Sequence, residues 1–350
     1  MLAALEGMAR AYRTFVAEPS VEYGYPKGLY AWDPCCEYRY TPGFTGFFEG
    51  PVYGHIPIRT NSAGYRDEEF APARTPGALR VAFLGDSVTM GAGVRAEDRF
   101  SDRLRELSSG ARRIETLNLA VNSYTSWHYA QQARAVLPGY APDLIVVGLC
   151  LNDLERKEES WPRKHVAAPD GSYVGKYLRP GGKRPHMRDL SALASLAWEL
   201  DKRWRNRDPW RTWMRRLGGE WQDPARLAEL RANLTVVRDE SAKAGRGLVV
   251  LVLPEAHDLA DPQRYGAPRR AALALLDELG IARIDLSEDF RKDAEYAALF
   301  LPGDSIHLSV RGHALAARAL GAWLASHARV PGSAERALGA EPRDLRVSET

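Results

Sequence analysis

A chain of 350 residues is longer than one small domain needs, and 45% hydrophobic with 27% charged residues is not the composition of a disordered or low-complexity polymer. The 48 Lys and Arg against 45 Asp and Glu leave a formal +3, too balanced for binding nucleic acid by charge, and no nucleic-acid partner is expected. The charge is uneven along the chain: residues 155–222 carry a net +7 and the remainder −4.

From the N-terminus, "MLAALEGMARAYRTFVAEP" reads as a short amphipathic helix. It lacks the long apolar core of a signal peptide and the roughly 20 apolar residues of a membrane span. As written, the chain reads as soluble and cytoplasmic; one trimmed of a leader for export or anchoring would read the same. Residues 1–75 form an extension rich in Tyr, Pro and Gly, a pattern of short strands and turns. Cys35 and Cys36 are adjacent and Cys150 lies in an apolar run, so neither a disulfide framework nor metal-ligand spacing is present. Free thiols, no metal and no organic cofactor are expected.

Five runs rich in Val, Ile and Leu follow: "RVAFL" (80–84), "RIETLNLAV" (113–121), "DLIVVGL" (143–149), "GLVVLVL" (247–253) and "IARIDL" (281–286). Being apolar on both faces, they suit a buried parallel sheet. Helical patterns separate them: Phe100, Leu104 and Leu107; Leu227, Leu230, Leu234 and Val237; and "PRRAALALLDELG", opened by Pro268 and closed by Gly280. The alternation predicts an α/β fold, a doubly wound sheet of about five parallel strands with ligands outside the carboxyl ends of the strands. Residues 76–154 and 224–329 would form that domain, 155–223 an insertion and 330–350 a loose tail.

Ser87 follows the first run in "VAFLGDSVTMGAG" (81–93). A serine hydroxyl becomes a nucleophile only when a base takes its proton and a third group orients that base. "LPGDSIHLSVRGHALAARAL" offers both in one loop, Asp304 and His307, ahead of a helix with Ser309 as its N-cap. Three-residue spacing lets the carboxylate reach one ring nitrogen while the other faces outward. Gly85-Asp86-Ser87-Val88-Thr89 lacks the second glycine of G-x-S-x-G, so a standard α/β-hydrolase elbow is excluded. Asp153 reads as structural, His313 as a bystander within the helix, and Glu255 with His257 as a loop feature without ligand-spaced partners.

"FLGDSVTMG", "NLAVNSYT", "GLCLND" and "DSIH", in that order across residues 81–313, resemble the four sequence blocks of the SGNH (GDSL-type) hydrolases. The resemblance implies a flavodoxin-like sheet and a triad with Ser87 as nucleophile, His307 as general base and acid, and Asp304 orienting His307. It also implies an oxyanion hole built from the Ser87 N–H, a second-block backbone N–H and the Asn152 side chain. Two positions depart from the pattern. The second-block glycine falls on Ser123, whose N–H serves only if its backbone adopts the required φ and ψ, and whose side chain narrows the acyl space. Cys150-Leu151 stands where Gly-Thr commonly precedes the asparagine.

The stretch "NSAGYRDEE" (61–69) resembles one that precedes the serine block in larger bacterial members. Arg66 there reads as ion-paired with Asp67, Glu68 or a core carboxylate, with contact to the site as the alternative. Asn122, Arg66 and Trp161 are the candidate substrate-binding residues. The reaction expected is hydrolysis of a small acyl group from a small-molecule or carbohydrate ester. O-acyl transfer is the alternative fate of the same acyl-enzyme, and a non-catalytic binding protein on a hydrolase scaffold is the alternative from another class. Trp161, Trp198, Trp204, Trp210, Trp213 and Trp221 all fall in the insertion. They read as packing bulk for a helical cap, or as ring faces that with Arg hold a sugar or an anionic group.

Overall fold

Tyr- and Pro-rich sequence offers few long apolar runs for wide strands, and among its described residues the N-terminal extension accordingly builds one helix and two small antiparallel pairs. The computed structural model describes residues 2–15, 25–49, 53–71, 73–107, 113–176, 178–179, 191–194, 196–197 and 209–327. The tail expected from residue 330, and Trp198 and Trp204, lie outside these. Helix α1 (Leu2–Phe15) is the amphipathic segment read from the sequence, and β1 (Tyr30–Ala31) with β2 (Arg39–Tyr40) and β3 (Thr45–Phe48) with β4 (Ile56–Arg59) are antiparallel pairs. Glu6 of α1 accepts hydrogen bonds from Ser191 Oγ and from the N–H groups of Ala192 and Leu193, tying the helix to the insertion.

The five apolar runs become β5 (Leu79–Gly85), β6 (Ile114–Asn118), β7 (Leu144–Leu149), β8 (Gly247–Val252) and β9 (Ala282–Asp285). All pairings are parallel, in the order β6-β5-β7-β8-β9, the flavodoxin-like doubly wound arrangement. Every residue of β5 and β7 is buried, which a sheet covered on both faces requires. Alternate residues serve opposite faces. Val81, Phe83 and Val146 pack with α3 (Phe100–Glu106) and the C-terminal helix, while Ala82, Leu84 and Ile145 share a cluster with Tyr38, Tyr40 and Phe48 of the extension.

The helical patterns lie where expected. After α2 (Ser87–Met90) and α3 come α4 (Ser126–Ala135), α5 (Pro209–Glu220), α6 (Pro224–Lys243), α7 (Ala267–Glu278) and α8 (Val310–Ser326). Ser309 caps α8 by accepting from Gly312 N. In α5 and just beyond it, Trp213 and Trp221 pack into the cores, and Trp221 Nε1 donates to Leu151 O at 2.7 Å. These two rings fill space. Among the described residues no helix is long and apolar enough to cross a membrane.

One tight contact fixes the centre of the sheet. Gly85 of β5 and Gly148 of β7 are register partners, and a Cβ on either would lie 2.1 Å from Thr89 Oγ1. The buried Thr89 side chain wedges over both strands, holding α2 down on the strand that leads into it. Gly148→Ala is therefore expected to lower the unfolding free energy by about 1–3 kcal/mol, read as a lower urea midpoint.

Candidate active site

Ser87 stands at the carboxyl end of β5 as the first residue of α2. Asp86 is the N-cap, its Oδ1 accepting from Val88 N at 2.9 Å, and Gly91 ends the helix after one turn with φ 83°. Strand, cap and turn present the hydroxyl on the rim where the parallel strands end.

Asp304 and His307 lie in the loop before α8. Asp304 Oδ1 accepts from the N–H groups of Ile306 (2.7 Å) and His307 (3.1 Å), so the carboxylate folds its own loop. Its Oδ2 lies 2.8 Å from His307 Nδ1, and His307 Nε2 lies 2.9 Å from Ser87 Oγ. A carboxylate only accepts, so Nδ1 carries the ring proton and Nε2 is left to accept from Ser87. The side chains of Asp304 and His307 are 4% and 12% exposed. Burial pushes His307 down, but the Asp304 hydrogen bond and charge outweigh it and hold the imidazole above its ordinary value. Burial pushes Asp304 up, and its bonds from His307 and the backbone outweigh that in turn, keeping the carboxyl below its usual range.

The ends of β6 and β7 complete the rim. Leu119 N donates to Phe83 O and Val121 N to Gly85 O, which ties the second block to the strand carrying Ser87. Ser123 then has φ 59°, in the left-handed region where glycine is the default residue. Two hydroxyls hold its peptide there, Tyr38 Oη from the extension and Ser160 Oγ from the insertion, donating to Ser123 O at 2.7 and 2.8 Å. Neither Ser87 N nor Ser123 N has an acceptor among the described residues. Asn152 Nδ2 lies 3.5 Å from Asp86 Oδ2, and the Cys150 thiol donates to Asp86 Oδ1 at 3.3 Å. Cys150, which departs from the usual Gly-Thr, thus helps hold the N-cap of the helix that Ser87 opens. The buried Asp153 accepts from Tyr129 Oη and Cys150 N, the structural role expected of it.

The model of the GDSL-like lipase/acylhydrolase family matches residues 83–315, which include Ser87, Ser123, Asn152, Asp304 and His307. The chain belongs to that family. It is accordingly a serine hydrolase of the acyl-hydrolase class. Solved GDSL-type and other esterase structures are similar to it at low identity. They include a lipase/acylhydrolase from Enterococcus faecalis (12% identity, 71% of this chain and 96% of that one, TM-score 0.41). A catalytic mutant of an acetylxylan esterase from Geobacillus stearothermophilus gives 16%, 71%, 94% and 0.42. The psychrotrophic esterase EstA from Pseudoalteromonas sp. gives 12%, 71%, 97% and 0.41. No curated protein matches the chain.

Beyond the blocks that identify this GDSL-type chain, two expectations are altered. Arg66 is not ion-paired through a carboxylate: it is 2% exposed, and its guanidinium donates to the carbonyls of Pro57, Met90, Gly91 and Val94. Burial, then the nearby Arg99, pushes it down to about 9. It staples the turn after α2, and its neighbour Asp67 pairs with Arg99 instead. Asn122 is 1% exposed, and its Oδ1 accepts from Tyr30 Oη (2.6 Å) and Tyr40 Oη (2.9 Å), so that oxygen docks the extension. Trp161 stands among Tyr25, Tyr30 and His165 at ring separations of 6.3, 5.9 and 4.3 Å.

Two groups escaped the sequence reading. Tyr53 of the extension brings its hydroxyl to 3.5 Å from His307 Nε2, and no pattern in residues 45–59 links it to a histidine in a distant loop. Asp33, Cys35 and Cys36 place ligand atoms within 4.8 Å of one another, although Asp33 Oδ1 already accepts from both cysteine N–H groups. All three cysteines are free. Glu255 is buried and pushed up to about 8 chiefly by that burial, and His313 is buried, accepting from Phe100 N.

The held imidazole is expected to titrate above 6.5 by NMR in the wild type. In Asp304→Asn, with burial unopposed, it should fall to or below that value. A wild-type value under 6.5 would contradict the hydrogen-bonded pair.

Proposed function

We propose that the chain is a serine esterase that removes a small acyl group from a carbohydrate or similar polyol ester through an acyl-enzyme on Ser87. The observation that carries this reading is the continuous path from Asp304 Oδ2 through the imidazole to Ser87 Oγ, 2.8 and 2.9 Å at its two joints. In this reading His307 takes the Ser87 proton as Oγ attacks the acyl carbon and returns it to the departing alcohol. Water then repeats the sequence on the acyl-enzyme.

Charge developing on the carbonyl oxygen falls to the N–H groups of Ser87 and Ser123, both without acceptors among the described residues, and to the Asn152 amide. Asp86 engages one side of that amide, and the second N–H is left for the substrate. The Ser123 side chain, where a glycine would leave a gap, supports a short acyl chain. Tyr53 meets His307 edge-on and Tyr25 and Trp161 continue the run of rings from it, which supports a ring-bearing alcohol whose C–H face packs on aromatic surface.

Wild type is expected to hydrolyse p-nitrophenyl acetate and to react with a fluorophosphonate. Ser87→Ala should lose the label and at least about 10³-fold in kcat/KM; a Ser87-independent rate would refute the reading. Product recovered as a sugar ester in the presence of sugar acceptors, rather than free acid, would assign O-acyl transfer instead. Ser123→Gly relieves the left-handed strain and widens the acyl space. It should raise the unfolding free energy by about 1 kcal/mol and improve kcat/KM for butyrate over acetate esters by about threefold or more.

A further inference from the structure

We propose that Tyr53 belongs to the reacting centre and that its phenol holds the alcohol-side oxygen of the ester, an assignment that rests on the Ser87 esterase reading. Tyr53 lies between β3 and β4, outside the segment matched by the family model. Its Oη is 3.5 Å from His307 Nε2, and its ring meets the imidazole edge-on, with centroids 5.3 Å apart and planes at 85°.

Nε2 is the atom that faces Ser87 Oγ at 2.9 Å and must hand the serine proton to the leaving oxygen. That oxygen therefore comes within hydrogen-bond reach of Nε2, and a hydroxyl 3.5 Å from the same nitrogen stands beside it. The phenol is held in place by its neighbours. Tyr53 packs edge-on against Tyr25 (5.7 Å) and Phe48 (6.2 Å). A donor fixed before the substrate arrives needs no reorganisation as charge develops.

The step balances without a further reactant. Ser87 Oγ bonds to the acyl carbon as its proton moves to Nε2, and the bond from acyl carbon to alcohol oxygen breaks with its electron pair going to oxygen. The Nε2 proton then transfers to that oxygen. Tyr53 donates a hydrogen bond to the oxygen while it carries negative charge and keeps its own proton. In deacylation the attacking water occupies the same place and gives its proton to Nε2.

Leaving groups distinguish this role from packing. p-Nitrophenolate departs without protonation, whereas methoxide needs its charge relieved, so a group acting on the leaving oxygen is felt far more with methyl acetate. Tyr53→Phe keeps every ring contact and removes only the hydroxyl. The expected result is a loss of about tenfold or more in kcat/KM for methyl acetate and a much smaller loss for p-nitrophenyl acetate, so that the ratio of the two shifts by about tenfold. An equal loss on both esters would assign Tyr53 to packing, and no loss on either would remove it from the reaction; both overturn the proposal. Wild-type hydrolysis that survives Ser87→Ala would overturn the esterase reading as well, a result distinct from the other two.

Discussion

The 2.9 Å contact between Ser87 Oγ and His307 Nε2 joins residues 220 apart in the chain, and the parallel sheet is what makes it possible. Parallel strands all end on one rim, so the turn after β5 and the loop before α8 meet there although they come from opposite ends of the domain. The contact also needs an imidazole with one tautomer and one orientation. Asp304 provides both, and its two backbone hydrogen bonds stiffen the loop that carries the ring. The desolvation cost of a buried carboxylate is offset by the His307 hydrogen bond and charge and by the two backbone N–H groups, all of which favour the charged form.

Around that contact, the residues of the four sequence blocks bind one another. Asp86 caps α2, accepts the Cys150 thiol and faces the Asn152 amide, so one carboxyl couples the end of β5 to the end of β7. Ser123 shows how a residue with a Cβ persists where glycine is the easier choice. A left-handed backbone costs such a residue about 1–2 kcal/mol, and hydroxyls from Tyr38 and Ser160 pin its carbonyl. The extension and the insertion are therefore part of the site's construction. Glu37 of the extension is ion-paired with Lys157 and Arg163 of the insertion, and Trp32 stacks on Tyr173, so the two segments brace each other over the rim.

The strands, the main helices, the N-cap Ser309 and the Ser87, Asp304 and His307 set were legible because each leaves a local signature: a two-faced apolar run, a periodic stripe, a spacing of three. Arg66 was misread for a physical reason. Charge in sequence beside Asp67 and Glu68 suggests a carboxylate partner, yet the guanidinium, buried against Phe48, meets four carbonyl oxygens that no sequence pattern records. Asn122 was misplaced because its position at a strand end pointed to the rim, and nothing local revealed that two tyrosines from residues 30–40 converge on its oxygen. Tyr53 was invisible for the same cause.

The sequence by itself determined the sheet, the chemistry of the Asp304 to Ser87 path and the family, since apolar periodicity, turn residues and short spacings act through neighbours along the chain. Only the tertiary structure decided what surrounds that path. Which hydroxyl reaches Nε2, which carbonyls accept Arg66 and what holds Ser123 at φ 59° depend on contacts between segments far apart in sequence. Such contacts arise when a Tyr-rich extension packs its rings against one face of the sheet, and contacts made singly between segments so far apart leave no periodic mark in the chain that encodes them.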